Sequence, residues 1–144
     1  MRVVLAVLRV ALGGIFLVFG LMKILDAHAF VENVANFQIP PFNEPPYDMW
    51  LAYFLPPLEV LVGLGLILKR WMEGALLLTA GMLLSFMGAI GSVWARGLDV
   101  DCGCSGGTVD LGGYASHMVI LFVMLSATVY LMIEQMSGEK AELA

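Results

Sequence analysis

The chain has two cysteines, and they stand one residue apart in the run Asp99, Val100, Asp101, Cys102, Gly103, Cys104, Ser105, Gly106, Gly107. A disulfide needs Cα atoms about 4.4–6.8 Å apart. An i, i+2 pair reaches that only where the chain turns, which Gly103 permits. So small a ring is strained, and strained disulfides are the ones that exchange. A structural staple closes a long loop and so constrains the unfolded chain, whereas a bridge from Cys102 to Cys104 would close almost nothing. The spacing favours redox exchange over stapling. Two other readings stay open. The pair could bind a soft metal such as Cu(I) or Zn(II), with His28 and His117 completing the shell, or it could be reduced and idle. Asp99, Asp101 and Asp110 oppose thiolate formation nearby, while Arg96 and the start of the following helix favour it.

A second set of chemically capable residues lies inside apolar runs. Arg9, Lys23 and Glu59 are charges in or beside long hydrophobic stretches. A charge at bilayer depth costs at least ~2.5–3.5 kcal/mol on insertion scales, so each needs a partner or a route to the surface. Lys23 closes the first stretch and Glu59 opens the second, at matching depth, which predicts an ion pair. That pair either fixes two helices or also shapes a ligand or quinone site. Arg9 precedes Lys23 by 14 residues, which offsets the two by roughly 40° around a helix and about 21 Å along it. They share a face that should turn into the protein, with snorkelling to headgroups the alternative for Arg9.

The elements that carry these residues are membrane spans. Apolar residues make up 60% of the 144 and charged residues 13%, against roughly 45–50% and about 25% in a soluble domain. Mean hydropathy is +0.91. The net charge of −5 excludes the basic stripe that nucleic acid requires. A helix needs about 20 apolar residues to cross the hydrocarbon core. Four stretches qualify, giving spans at about 3–25, 50–68, 72–95 and 112–134 within one domain, residues 1–144, with a short tail at 135–144. None alternates with a period of two, which argues against a barrel. The predicted fold is an all-α four-helix bundle in the lipid bilayer, with a short interfacial helix after the first span.

Orientation follows from Lys and Arg. Arg2, Lys69, Arg70 and Lys140 fall on one side, read as cytoplasmic together with both termini. The opposite side carries segment 26–49, with no Lys or Arg, and segment 96–113, with Arg96 alone. Both cysteines then face outward. Ala27-His28-Ala29 has the small-x-small form of a signal-peptide cleavage site. Arg9 splits the would-be apolar region and Lys23 sits just before the site, so the first span is read as retained.

Local patterns fill in the rest. Phe30, Val34 and Phe37 recur at helical spacing after Asp26, predicting the interfacial helix, which ends before Pro40-Pro41. Tyr47, Trp50, Tyr53 and Phe54 form an aromatic cluster suited to headgroup depth. Pro56-Pro57 suits a helix's first turn, so the regular second span is expected to start at Pro56, with 47–55 a turn or kinked lead-in. Gly74, Gly81 and Gly88 repeat every seven residues in the third span, with Ala95, Gly91 and Ser92 extending the stripe, as helices that pack closely in membranes do.

With these residues in view, the chain resembles the MauE/DoxX family of redox-associated membrane proteins, closer to the MauE branch. The matching features are Arg9, Phe16 and Gly20-Leu21-Met22-Lys23 in the first span; Phe30; Leu55-Pro56-Pro57-Leu58-Glu59, followed by Gly63 and Leu66; and Asp101-Cys102-Gly103-Cys104 between spans three and four. The family usually continues Cys-Gly-Cys-Phe-Gly; here Ser105 replaces the Phe and Gly106 is kept, which alters the surface a partner would meet. The resemblance implies a membrane partner of periplasmic thioredoxin-like proteins in the bacterial inner membrane, working in formation of cysteine-rich quinoprotein subunits. The arrangement is also similar to that of vitamin K epoxide reductase and DsbB, which pass electrons between thiols and quinone, although this chain lacks their multiple cysteine pairs. The leading expectation is thiol-disulfide exchange by Cys102 and Cys104 with such a partner, coupled to quinone near Lys23 and Glu59, with Arg9 a further candidate at that site. The alternative is a non-catalytic subunit or assembly factor bound to other membrane redox subunits.

Overall fold

The computed structural model describes residues 2–98 and 113–143. Among these are five α-helices and no strand: α1 Arg2–Leu25, α2 Ala27–Asn36, α3 Tyr47–Ile67, α4 Met72–Ala95 and α5 Tyr114–Leu143. Four are long and apolar enough to cross a bilayer, over Val3–Leu25, Tyr47–Ile67, Met72–Ala95 and Tyr114–Gly138. The protein is an all-α helical membrane bundle. Leu21, Leu61, Leu77, Leu84 and Phe122 lie exposed along the spans, because lipid takes the place that a core would fill in a soluble protein.

The four long helices form a ring. α1 packs on α3, α3 on α4, α4 on α5, and α5 more loosely back on α1. The α1–α3 seam is the tightest, and glycines make it so. A Cβ placed on Gly63 would stand 2.7 Å from the Gly13 carbonyl and 2.8 Å from the Leu17 nitrogen. One on Gly20 would stand 2.9 Å from the Glu59 Cβ and 3.0 Å from the Pro56 carbonyl. Small residues let membrane helices approach until backbones touch.

Two expectations change here. The stripe of Gly74, Gly81 and Gly88 on α4 does not form such a seam: a Cβ on any of them would meet nothing within 4 Å among the described residues. Helix α3 runs unbroken from Tyr47 through Pro56 and Pro57, rather than beginning at Pro56. Apolar contact along the chain outweighs the two donors that the prolines remove. The segment after residue 134 also continues α5 as far as Leu143.

Helix α2 follows α1 at once. Asp26 caps it, its side chain accepting from the Ala29 backbone N–H at 3.3 Å, as a short polar side chain does for an orphan donor of the first turn. Phe30 is buried, so the apolar face of α2 turns onto the bundle. Arg96, at the end of α4, donates to the carbonyls of Phe37 and Gln38 and so ties the segment after α2 to α4. Helix α4 itself ends in a reverse turn. Gly97, at φ +65°, lets its N–H reach the Trp94 carbonyl and the Leu98 N–H reach the Val93 carbonyl, a glycine-ended stop. The Tyr114 hydroxyl donates to the Leu98 carbonyl, which holds the start of α5 against the end of α4.

Candidate functional site

The buried charges meet where α1 and α3 are closest. Gly20 lies one turn before Lys23 and brings α1 against Glu59 and Pro56 of α3. Lys23 Nζ donates to Glu59 Oε1 at 2.7 Å, with both side chains 2% exposed. Two rings flank the ammonium: the centroids of Phe30 and Phe86 each lie 5.1 Å from Nζ. A cation so placed over ring faces is stabilised by the ring quadrupoles, more strongly when water is excluded. Helices α1, α2, α3 and α4 thus converge on one ammonium group. An ammonium has three N–H donors, and among the described residues one of Lys23's goes to an oxygen.

Lys23 and Phe86 form a partition between two chambers. The larger holds about 480 Å³ and is walled by Phe30, Val34 and Phe37 at α2, Leu55 of α3 and Ile90 of α4, with Lys23 its charged group. That volume is typical of a site for a small organic molecule, apolar with few polar groups. The smaller holds about 60 Å³ and is lined by Lys23, Glu59 and Phe86 together with His117 and Met124 of α5. Two polar atoms here have no hydrogen-bond partner among the described residues: Glu59 Oε2 and His117 Nε2. The other ring nitrogen of His117, Nδ1, lies 3.1 Å from the Gly113 carbonyl.

The remaining residues named from sequence are dispersed. Arg9 is half-buried with an unpartnered Nε and lines neither chamber. Tyr47, Trp50, Tyr53 and Phe54 are exposed and lie away from the pair; Tyr47 and Trp50 meet edge to face at 6.1 Å. His28 is exposed on α2. Cys102 and Cys104 of the expected metal shell lie outside the described residues, whereas its His28 and His117 lie within them; among the described residues no three His, Cys, Asp or Glu side chains cluster as a metal site.

Three participants were not legible beforehand. Phe86 sits in an unbroken apolar run with nothing to distinguish it. Arg96 stands out in the sequence as an outward charge that favours thiolate formation at the cysteines, not as a donor to the Phe37 and Gln38 carbonyls. His117 stood out as the one titratable group of the last apolar run, but its place opposite Glu59 depends on how α5 docks.

Comparison with known proteins gives one match. The model of the family described as methylamine utilisation protein MauE matches residues 1–134. No curated protein and no solved structure matches the chain.

Proposed function

Because the chain belongs to the MauE family, we propose that it is a redox-associated membrane protein of methylamine utilisation that binds a quinone beside Lys23 and exchanges a disulfide through Cys102 and Cys104. One observation carries the quinone part: a buried ammonium with donors to spare forms the polar wall of an apolar, aromatic chamber of about 480 Å³. A quinone ring suits that chamber, since it needs apolar walls for its faces and a donor for a carbonyl oxygen. When bound, quinone supplies an acceptor for two electrons and two protons. The chain's own residues orient it. Lys23 donates to the carbonyl, Glu59 holds Lys23 in place, and Phe30 and Phe86 flank the ammonium with their ring faces.

The thiol chemistry is proposed from sequence. A thiolate of a thioredoxin-like partner attacks the Cys102–Cys104 disulfide and forms a mixed disulfide; the partner's second thiol then displaces the chain's cysteine. The partner's dithiol is thereby oxidised to a disulfide and the chain's disulfide reduced to a dithiol, whose two electrons and two protons a bound quinone would accept as the Cys102–Cys104 disulfide re-forms. Topology supports the coupling: the segment with the cysteines joins α4 to α5 at the same end of the bundle as α2 and the larger chamber. We place the chain in a bacterial inner membrane, with its termini in the cytoplasm and the α2 side facing the periplasm, where disulfides persist.

Thiol state tests this directly. Cys102 and Cys104 are alkylated in intact cells with a membrane-impermeant reagent, before and after mild reduction. Labelling that appears only after reduction is expected. Labelling without reduction gives free outward thiols and removes resting disulfide exchange. Labelling only in permeabilised cells reverses the topology. A Cys102→Ser variant should trap the partner through Cys104.

A second reading, a non-catalytic subunit or assembly factor, is favoured by the open stripe of Gly74, Gly81 and Gly88 on α4, where another membrane subunit's helix could lie. It predicts that cysteine substitutions are tolerated while Gly81→Leu blocks co-purification of the complex.

A further inference from the structure

We propose that the smaller chamber is a hydrated site in which water links Glu59 to His117, and that His117 gives the buried Lys23–Glu59 pair its proton contact with the α2 side of the membrane. This goes beyond the quinone reading and does not depend on what fills the larger chamber.

The donor and acceptor count leads to water. The Gly113 carbonyl can only accept, so the 3.1 Å contact puts a hydrogen on Nδ1, and the proposed tautomer is the one in which that is the ring's single N–H. Nε2 is then a bare, buried acceptor and Glu59 Oε2 a second one, both on residues that line the chamber. Two acceptors cannot bond to each other, whereas a water molecule brings two donors. The chamber of about 60 Å³ exceeds the roughly 10–15 Å³ that one water needs by this measure. Leaving both atoms dry would forfeit the hydration that each has in the unfolded chain. Most of the lining is apolar, so the polar atoms fix where the water sits.

The position of His117 supplies the route. His117 is half-buried, with Nδ1 on the carbonyl of Gly113, just before α5, and with its buried Nε2 unpartnered among the described residues. Of the elements around the chamber, α1 brings Lys23, α3 brings Glu59 and α5 brings His117, while α4 contributes only apolar side chains. A proton taken up by His117 places a hydrogen on Nε2. It passes along the water to Glu59 Oε2 and returns by reversal of the same bonds, with no net change in the chain.

Nuclear magnetic resonance on the full chain in lipid nanodiscs tests this. Both histidines are labelled with ¹⁵N, and a His28→Gln variant assigns the spectrum. His117 is expected as the Nδ1–H tautomer with Nε2 accepting a hydrogen bond; an Nε2–H tautomer overturns the proposal. In a density map that resolves waters, a water within hydrogen-bond distance of both Glu59 Oε2 and His117 Nε2 is expected, and a dry or lipid-filled chamber overturns it. Exchange of the Lys23 ammonium hydrogens with deuterated water should slow about tenfold in His117→Phe, the factor that one lost hydrogen-bonded link supplies. Unchanged exchange overturns the proton role. The first two readouts use the native side chain at His117, so misfolding of that variant does not remove the test. Quinone affinity of the larger chamber is a separate measurement that reports separately on the function proposed above.

Discussion

Helices α1 and α4 both carry glycines seven residues apart, and they use them in opposite ways. Gly13 and Gly20 of α1 are pressed against α3, where an added methyl would overlap backbone or Cβ atoms at 2.8–3.0 Å. Gly74, Gly81 and Gly88 of α4 face open space. The α1–α3 seam also holds the buried ion pair, while the α4 stripe runs from Gly74, next to Glu73, to Gly88 in the wall of the larger chamber. A small-residue repeat therefore permits close approach without deciding that it happens. What distinguishes the seam is a matching glycine, Gly63, on the opposing helix, and an ion pair buried between the same two helices.

Several substitutions would break or sharpen this contrast. The largest effect is expected from removing one partner of the pair. Lys23→Met or Glu59→Leu alone leaves a buried charge uncompensated and should cost about 3–5 kcal/mol, measured by reversible unfolding in detergent micelles or bicelles. The double variant should recover most of that loss, because a well-packed apolar pair in place of an ion pair is often neutral. If the double variant is as unstable as the worse single one, the pair is not what joins the helices.

Gly63→Ala comes next. Its methyl would meet the Gly13 carbonyl and the Leu17 nitrogen, and backbone cannot swing aside as a side chain can. A loss of about 1–3 kcal/mol is expected, the range for overpacking. The same unfolding assay on Gly81→Ala should give no loss, and a gain of up to about 1 kcal/mol from helix propensity. Equal losses at the two sites would mean that the α4 stripe is packed in the native assembly, which would favour the subunit reading.

A smaller effect is expected at Arg96. It is exposed, so Arg96→Met should cost about 1.5 kcal/mol, the low end for hydrogen bonds to a charged group. The change should be local. Faster amide hydrogen exchange is expected in residues 37–46, where the bonds to the Phe37 and Gln38 carbonyls are lost, with no change in α1 or α3. Uniform exchange along the chain would mean that Arg96 supports the whole fold.

The glycine contrast also marks how far sequence reasoning reached. Heptad spacing made the three glycines of the α4 stripe conspicuous, and the seam was missed because its glycines are split between α1, with Gly13 and Gly20, and α3, with Gly63. The ion pair was foreseen because two charges at matching depth in apolar runs have few other ways to be accommodated. The chamber was not foreseen. Its walls come from α1, α2, α3 and α4, and Phe30, Val34 and Phe37 signalled only that α2 has an apolar face. Whether that face meets lipid or protein depends on the tie from Arg96.

The sequence alone determined the helical membrane class, the number of spans, the short helix behind Asp26, the partnership of Lys23 with Glu59 and the family. Each follows from length, hydropathy, spacing or motif, which are properties of the chain as written. The tertiary structure decided which glycines carry a seam, that α3 continues through Pro56 and Pro57, that Arg9 stands apart from the pair, and that Phe86 and His117 complete the site. The physical reason is common to all four. Hydropathy in a membrane helix is nearly uniform around its circumference, so the sequence leaves its rotation open, and only contact between helices fixes which side chains face one another.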